Sequence, residues 1–345
     1  MRVEPALAPP RALGEPLGQG RVRLEPEDFH VEELLGFEPA GAGQHVLLKV
    51  RKREANTVWV ARELAGLAGC RPFEVGYAGL KDRHAVAVQW FTVPRRERAA
   101  HEWPGAGAEG FEVLEAHAHA RKLPRGAHAG NRFRIRVRGL EPRAESLDAR
   151  LRAIGACGVP NYFGPQRFGR HGSNLRDLPE DPGALRGEER GFVLSAARSV
   201  VFNAVLAERV RQGCWASLQP GDRAILDGRG SHFAVEALDE LLRQRAERLE
   251  IHPTGPLWGR GPPGSSGAVL EFERRVAGGY SRACALLEAA GMEPQRRSLR
   301  LAVRELRVHL EPGAVVLEFS LTRGAFATAV LREVCAFADQ EESST

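Results

Sequence analysis

The chain has 345 residues, enough for about two domains, with an apolar share ordinary for a globular protein and a net charge of +5 at a pI near 9.2. No apolar run approaches the length of a membrane span. Five cysteines (Cys70, Cys157, Cys214, Cys284, Cys335) lie far apart without a Cys-x-x-Cys pair, which argues against a disulfide framework or a zinc knuckle. The positive balance leans mildly toward a polyanionic partner, although nearly all the cations are arginine, as a compositional bias would also give.

Met1 to Gly20 is Pro- and Gly-rich and lacks the apolar core of a signal peptide, so a cytoplasmic protein is expected. Arg21 to Leu24 and Phe29 to Glu33 read as two short strands around a Pro26-Glu27-Asp28 turn, and Phe29 taken by itself reads as an inward core residue. His45 to Arg51 alternates as a half-buried strand. Asn56 then opens a helix with Thr57, Ala61, Leu64, Ala65 and Ala68 on one face, and Gly69 closes it.

Gly76 to Trp90 carries the most chemistry. A small-residue turn places Asp82 between Lys81 and Arg83 and runs into an apolar strand, Val86 to Val93. A carboxylate fixed among cations suits a nucleophile or general base; the competing reading is a solvated Lys-Asp-Arg surface turn. A strand follows at Phe111 to Ala116. His117 and His119 can share a strand face, but without a third ligand at useful spacing no metal is assigned.

Between Glu115 and Glu141 there is no acidic residue, and within that span Asn131 to Gly139 alternates strictly. Phe133, Ile135 and Val137 share one face, while Arg132, Arg134, Arg136 and Arg138 share the other. Either this is an edge strand that uses charge against aggregation, or the guanidinium groups meet nucleic-acid phosphates; the acid-free flank favours the second. Glu145 to Cys157 is a helix. Asn161 to Leu175 is a Gly/Pro-punctuated loop in which Tyr162 and two Phe interleave with Arg167 and Arg170. Such a loop can stack on bases and touch phosphates, or its rings can plug a domain junction.

From Ser195 the texture turns helical: Ser195 to Gln212, Val235 to Leu249 and Val269 to Ala290, with a strand at Arg223 to Leu226 and a loose loop from Pro253 to Gly267. After Arg297 strands return, Val303 to Leu310 and Val315 to Leu321 around a Pro312-Gly313 turn, and a last helix follows Thr328. Strands at both ends with helices between suggest one discontinuous domain with a second spliced into it.

In this order the motifs Pro26-Glu27-Asp28-Phe29, Gly79-Leu80-Lys81-Asp82-Arg83-His84-Ala85, Asn131-Arg132-Phe133, Gly158-Val159-Pro160-Asn161-Tyr162-Phe163-Gly164, Gln166-Arg167-Phe168-Gly169, Leu194-Ser195-Ala196-Ala197-Arg198-Ser199, Gly228-Arg229-Gly230-Ser231 and Gly324-Ala325-Phe326-Ala327-Thr328 with Leu331-Arg332-Glu333 resemble the tRNA pseudouridine synthase D (TruD) family over nearly the whole chain. The resemblance implies an α+β pseudouridine-synthase fold, a mixed and mostly antiparallel sheet flanked by helices, with an inserted α-rich TRUD domain. It sets that domain at residues 159–304 and the catalytic domain at 1–158 and 305–345. It implies a cofactor-free, metal-free isomerase acting on uridine 13 in the D arm of tRNA, with no membrane and no obligate protein partner. Asp82 takes the place of the catalytic aspartate, and Phe29, Asn131 and Phe326 match substrate-contacting positions. Arg23 falls where other members can have Lys, and Lys81 or Arg83 is expected to support Asp82 as a cation. Arg132, Arg134, Arg136, Arg138, Tyr162 and Arg167 are the expected RNA contacts. Ala87 departs from the pattern, which usually has Thr there. A non-catalytic RNA-binding protein is the alternative, and a nuclease built on His117 and His119 is disfavoured for want of clustered carboxylates.

Overall fold

The computed structural model describes residues 8–96 and 98–339, in two compact units. One, the sheet unit, takes Gly18–Arg143, Arg304–Gly324 and the chain from Cys335 onward; the other, the helical unit, takes the chain up to Leu17, Ala144–Val303 and Ala325–Val334. The helices Ala144–Cys157 and Ala327–Val334, which the sequence texture groups with the flanking strands, pack against each other in the helical unit.

The sheet unit is built on eleven strands: β1 (Gln19–Val22), β2 (Phe29–Leu34), β3 (His45–Arg53), β4 (Gly76–Tyr77), β5 (Val86–Pro94), β6 (Gly107–Ala108), β7 (Phe111–His119), β8 (Gly130–Arg138), β9 (Arg304–Glu311), β10 (Ala314–Thr322) and β11 (Ala336–Asp339). The main path runs β9-β10-β8-β2-β5-β3-β7-β6, with β1 beside β8 and β11, and β4 on β5. Among the described strands only the β2–β5 and β1–β11 pairs are parallel, so the mixed, mostly antiparallel α+β expectation holds.

Alternation builds one face of this sheet. Val46, Leu48 and Val50 of β3 and Phe91 and Val93 of β5 are all fully buried, and the helix Thr57–Leu67 lays Val60, Ala61, Leu64 and Ala65 across them. Burial of each large side chain is worth about 1.5–3 kcal/mol. Gly69, at φ +60°, turns the chain out of that helix, where a side chain would be strained. Asn56 precedes the helix in an extended conformation but makes no side-chain cap bond. β8 lies between β10 and β2, so it is an interior strand and not the edge that its charge pattern allowed.

The helical unit is organised around the helix Gly187–Arg211, buried from Leu194 to Val210 on most of its positions and packed against Ser281–Ala289, Gly267–Gly278 and the strand Ile251–Leu257. This helix is long and apolar enough to cross a membrane by length and composition, a feature the sequence reading passed over, yet 72% of that stretch is buried inside the protein. Three other expectations need correction. Ile251–Leu257 is not loop but a strand between Arg223–Leu226 and Gln295–Ser298; Pro253 and Pro256 disguised it, since proline supplies no ladder donor. Of the helix expected at Val235 to Leu249, only Glu240–Glu247 forms, started where Asp239 Oδ1 accepts the Leu242 N–H at 2.8 Å. Gly278 and Gly279 break Val269 to Ala290 into two helices.

Arg209 and Asp222 form an ion pair 1% and 0% exposed, at 2.5 and 3.2 Å, and Asp222 also accepts the Gln219 N–H. Removing one partner strands the other charge in the interior. We expect Asp222→Ala to lower unfolding free energy by about 3–5 kcal/mol in urea denaturation. A loss under about 1 kcal/mol would mean that the Arg209 charge finds another partner.

Candidate active site

Asp82 lies on the segment 78–85, between β4 and β5, and that segment is tied to the sheet unit at several points. The Lys81 N–H donates to Thr57 Oγ1 at 3.1 Å, and Gln89 Nε2 donates to the Gly79 carbonyl at 2.5 Å. Lys52 Nζ donates to the Asp82 carbonyl and to the Ala55 carbonyl, each at 2.7 Å, with the Lys81 carbonyl at 3.5 Å. Lys81 Nζ reaches Glu33 Oε1 at 2.8 Å, and Glu33 Oε2 accepts the Trp90 N–H at 3.0 Å. The backbone is thus held from β3, β5 and the start of the helix Thr57–Leu67 and the Lys81 side chain from β2, while the Asp82 side chain remains 55% exposed.

One cation meets that carboxylate directly. Arg23 Nη2 donates to Asp82 Oδ2 at 2.8 Å, and the same guanidinium sits 4.0 Å from the centroid of the Phe29 ring. Arg23 is 6% exposed. Its φ of +57° ends β1 after Val22 in a conformation that costs a non-glycine residue about 1–2 kcal/mol and swings the side chain onto Phe29. The structure therefore brings Asp82, Arg23 and Phe29 together.

It separates them from the other two expected cations. Lys81 turns inward to Glu33, a carboxylate 0% exposed, at 2.8 Å, with His128 next at 4.0 Å. Arg83 points to solvent and lines an open cavity of ≈ 780 Å³ with Arg51, Arg53, Trp59 and Glu112. Phe29 is only 3% exposed, packed edge-on against Phe133, with one face under Arg23; its ring is not open to an incoming base.

Asn131 is 8% exposed in β8, next to Glu33 across the β2–β8 ladder, and its Oδ1 is buried without a hydrogen-bond partner. A buried unmet acceptor costs about 1–3 kcal/mol until a donor arrives. His128 lies beside this group, 4.0 Å from Glu33, and burial holds its ring below the usual histidine range.

The arginine stripe is a correction. Arg132 lies 3.7 Å from Glu32 and from Glu305, and Arg134 lies 3.3 Å from Glu311 and from Glu318. Arg136 meets Glu311 at 2.7 Å, and Arg138 meets Asp28 at 2.8 Å and Glu25 at 2.7 Å. The anions that this face requires come from β2, β9, β10 and the turn before β2, so the electrostatic argument for phosphate there falls.

The remaining expected residues lie in the helical unit. Tyr162 is 3% exposed and belongs to that unit's core with Phe163 and Phe168, its ring under Arg332 at 4.9 Å and its phenol raised by burial; it is not an RNA-stacking ring. Arg167, half-buried, donates to Ser195 Oγ at 2.9 Å and lies 5.4 Å from the Phe163 ring. Arg297 covers the same ring at 4.3 Å, and burial together with Arg167 lowers it to about 10. Phe326 is half-buried, 6.3 Å from Phe163, and precedes the helix Ala327–Val334. His117 and His119 are otherwise engaged, the first beside Glu115 and the second accepting the Ala40 N–H at 3.3 Å.

Sequence reading missed Lys52, Glu33, Gln89 and Thr57. The signal was available for the first three: each occupies an inward position of a strand whose other inward residues are apolar.

Comparison with known proteins gives a consistent picture. The family model described as tRNA pseudouridine synthase D (TruD) matches residues 12–177 and 184–334. A tRNA pseudouridine synthase D of Methylococcus capsulatus is 49% identical over 336 residues, covering 96% of this chain and 95% of its own. One from Chromohalobacter salexigens is 45% identical, covering 94% and 95%. The crystal structure of a Methanosarcina mazei protein provisionally assigned as tRNA pseudouridine synthase D superposes with a TM-score of 0.73 at 22% identity, over 96% of this chain and 97% of the other, and so shares the fold.

Burial lowers the Lys52 ammonium from its ordinary range to about 8, with Asp82 opposing the shift and Lys81 adding to it. Lys52 is therefore protonated below that pH and loses its proton as pH rises through it, giving up charged hydrogen bonds to the Asp82 segment. Hydrogen bonds to a charged group contribute about 1.5–3 kcal/mol, so amides of residues 80–85 should exchange roughly 10–100-fold faster above pH 9 than below pH 7, after correction for intrinsic exchange. Lys52→Met should exchange fast at both. Equal protection in wild type and variant would remove the role of this lysine.

Proposed function

Because the chain belongs to the tRNA pseudouridine synthase D family, whose reaction is an isomerisation, we propose that it converts uridine 13 in the D arm of tRNA to pseudouridine with Asp82 as the catalytic carboxylate. The observation that carries this reading is the contrast at residue 82: a half-exposed carboxylate on a segment held from four elements, with a buried guanidinium on one oxygen. A group so placed can reach a nucleotide without reorganising its own support.

The reaction breaks the N1–C1′ bond, turns the uracil and forms a C5–C1′ bond. The proton on C5 is lost to solvent and N1 gains one, so substrate and product are isomers. Asp82 would act at the ribose or the base as nucleophile or base. The uridine must first leave its stack, at about a few kcal/mol. Asn131 Oδ1 supplies a waiting acceptor for the uracil N3–H. Phe326 is the matched ring that keeps exposed surface, whereas Phe29 acts through Arg23 by holding its guanidinium flat. Arg167 remains a candidate phosphate contact. On the same reading residues 159–304 form the inserted TRUD domain, and the protein works in the cytoplasm.

A tRNA transcript labelled with tritium at C5 of uridine tests this. Wild-type protein should release label, a transcript with cytidine at position 13 should release none, and Asp82→Asn should slow release by about a thousandfold, within the range lost when a positioned acid–base group is removed. Undiminished release by Asp82→Asn would refute the role of that carboxylate; release from the cytidine-13 transcript would refute the target position.

A further inference from the structure

The acid-free stretch identified in the sequence has two halves with different fates. Its second half, the stripe on β8, is neutralised by carboxylates. Its first half shows no such pairing among the described residues. Arg121, Lys122 and Arg125 are exposed on the connection between β7 and β8, which is anchored where the Leu123 N–H donates to Thr92 Oγ1 at 2.8 Å. Lys122 Nζ donates to the Phe73 carbonyl, and the guanidinium of Arg125 lies 3.7 Å from the Tyr77 ring. Arg95 follows directly on β5, and Arg71 stands 6.0 Å from the ring of Phe73, a residue 68% exposed. Among the described residues of 71–77, 95–98 and 120–126 the one carboxylate is Glu74, and it already accepts from Arg96 at 3.1 Å and from the Arg71 N–H at 2.8 Å.

All of this gathers at one end of the sheet. His45 pairs with Pro94 at the end of β5 and with His119 at the end of β7, so Arg95 and Arg121 emerge at the same end of the sheet, on the two strands that flank β3. Asp82 precedes β5 at its other end. The Gly126 N–H donates to the Ala78 carbonyl at 2.7 Å, and the four residues from Ala78 to Asp82 span at most about 14 Å, so the Arg125 side of the surface lies nearer Asp82 and the Arg95 side farther off. His119 reports the local field: burial first, then the neighbouring His45 and Arg121, hold its ring below the usual range.

We infer that this surface, centred on Arg121, Lys122 and Arg125 with Tyr77 and Phe73 between the cations, is a second RNA-contacting surface that takes phosphates of the substrate RNA flanking the reacting uridine. It rests on the proposed function, since the RNA is that reaction's substrate. Arg121, Lys122 and Arg125, paired with no described carboxylate and set beside the exposed Phe73 ring and the half-buried Tyr77, suit a sugar-phosphate backbone with unpaired bases. The contact is sequence-independent and serves affinity, not chemistry.

The test measures binding of unmodified tRNA against KCl concentration in the Asp82→Asn background, where turnover does not interfere. Arg121→Gln/Lys122→Gln/Arg125→Gln should reduce the slope of log K against log salt by about 2, near 0.7 per lost contact. In the Asp82-intact background the same triple variant should raise KM at least tenfold with kcat within twofold. Arg134→Gln/Arg136→Gln, whose charges are already matched, serves as control and should leave the slope unchanged. Should the triple variant fold poorly, Arg125→Gln alone must still lower the slope by about 0.7. An unchanged slope would overturn the inference and leave this surface to another polyanion, such as an anionic membrane. A fall in kcat at constant KM would overturn it too, by tying these residues to the site. Label release by wild-type protein judges the proposed function separately.

Discussion

A flat cation is held between an aromatic ring and a carboxylate, and the arrangement around Asp82 depends on that stack. The Arg23 guanidinium gives one face to Phe29 at 4.0 Å and an edge N–H to Asp82 at 2.8 Å, which lets it be almost wholly buried while its partner stays in water. Cation–π contact of about 0.5–2 kcal/mol offsets part of the cost of removing the guanidinium from solvent. An ammonium could form the ion pair, but it has no plane to lay on the ring and would not fix the carboxylate's direction as well. The left-handed turn at Arg23 is therefore local strain spent on aiming one side chain.

Under this stack the support is polar where a sheet face is ordinarily apolar. Lys52, Gln89, Glu33 and Asn131 follow one another across β3, β5, β2 and β8 on the face that otherwise carries Val50, Phe91, Val31 and Phe133. The strand periods were legible in the sequence, and so were the Asp82 turn and the return of strands after Arg297. Which inward polar residues would meet was not, because that depends on register between strands distant in the chain. Lys81 shows the consequence. Adjacent in sequence to Asp82, it looked like its natural partner, yet the buried Glu33, 48 residues earlier, holds it.

The arginine stripe failed for a related reason. Alternation correctly put Arg132, Arg134, Arg136 and Arg138 on one face, but a window of one strand says nothing about the charge on its neighbours. Acidic residues at the matching parity of β2, β9 and β10, brought from both ends of the chain, supply the anions. Tyr162 misled in another way: rings among glycines and prolines resemble a binding loop, but Phe163 and Phe168 beside it anchor a core, and burial decides which role a ring can take.

Ala87 brings these threads together. On the family resemblance this position is expected to be threonine; here it is a fully buried alanine, opposite Lys52 on one side and Val31 on the other. A hydroxyl there would have been a natural acceptor for the Lys52 ammonium, so its loss raises the question whether a buried donor has been orphaned. It has not. The ammonium has three protons, and three main-chain carbonyls, those of Ala55, Asp82 and Lys81, lie within reach. The bonds that an alanine cannot accept go to the backbone of the very segment that carries Asp82, so the departure leaves that carboxylate's support intact and places more of it on the charge of one buried lysine.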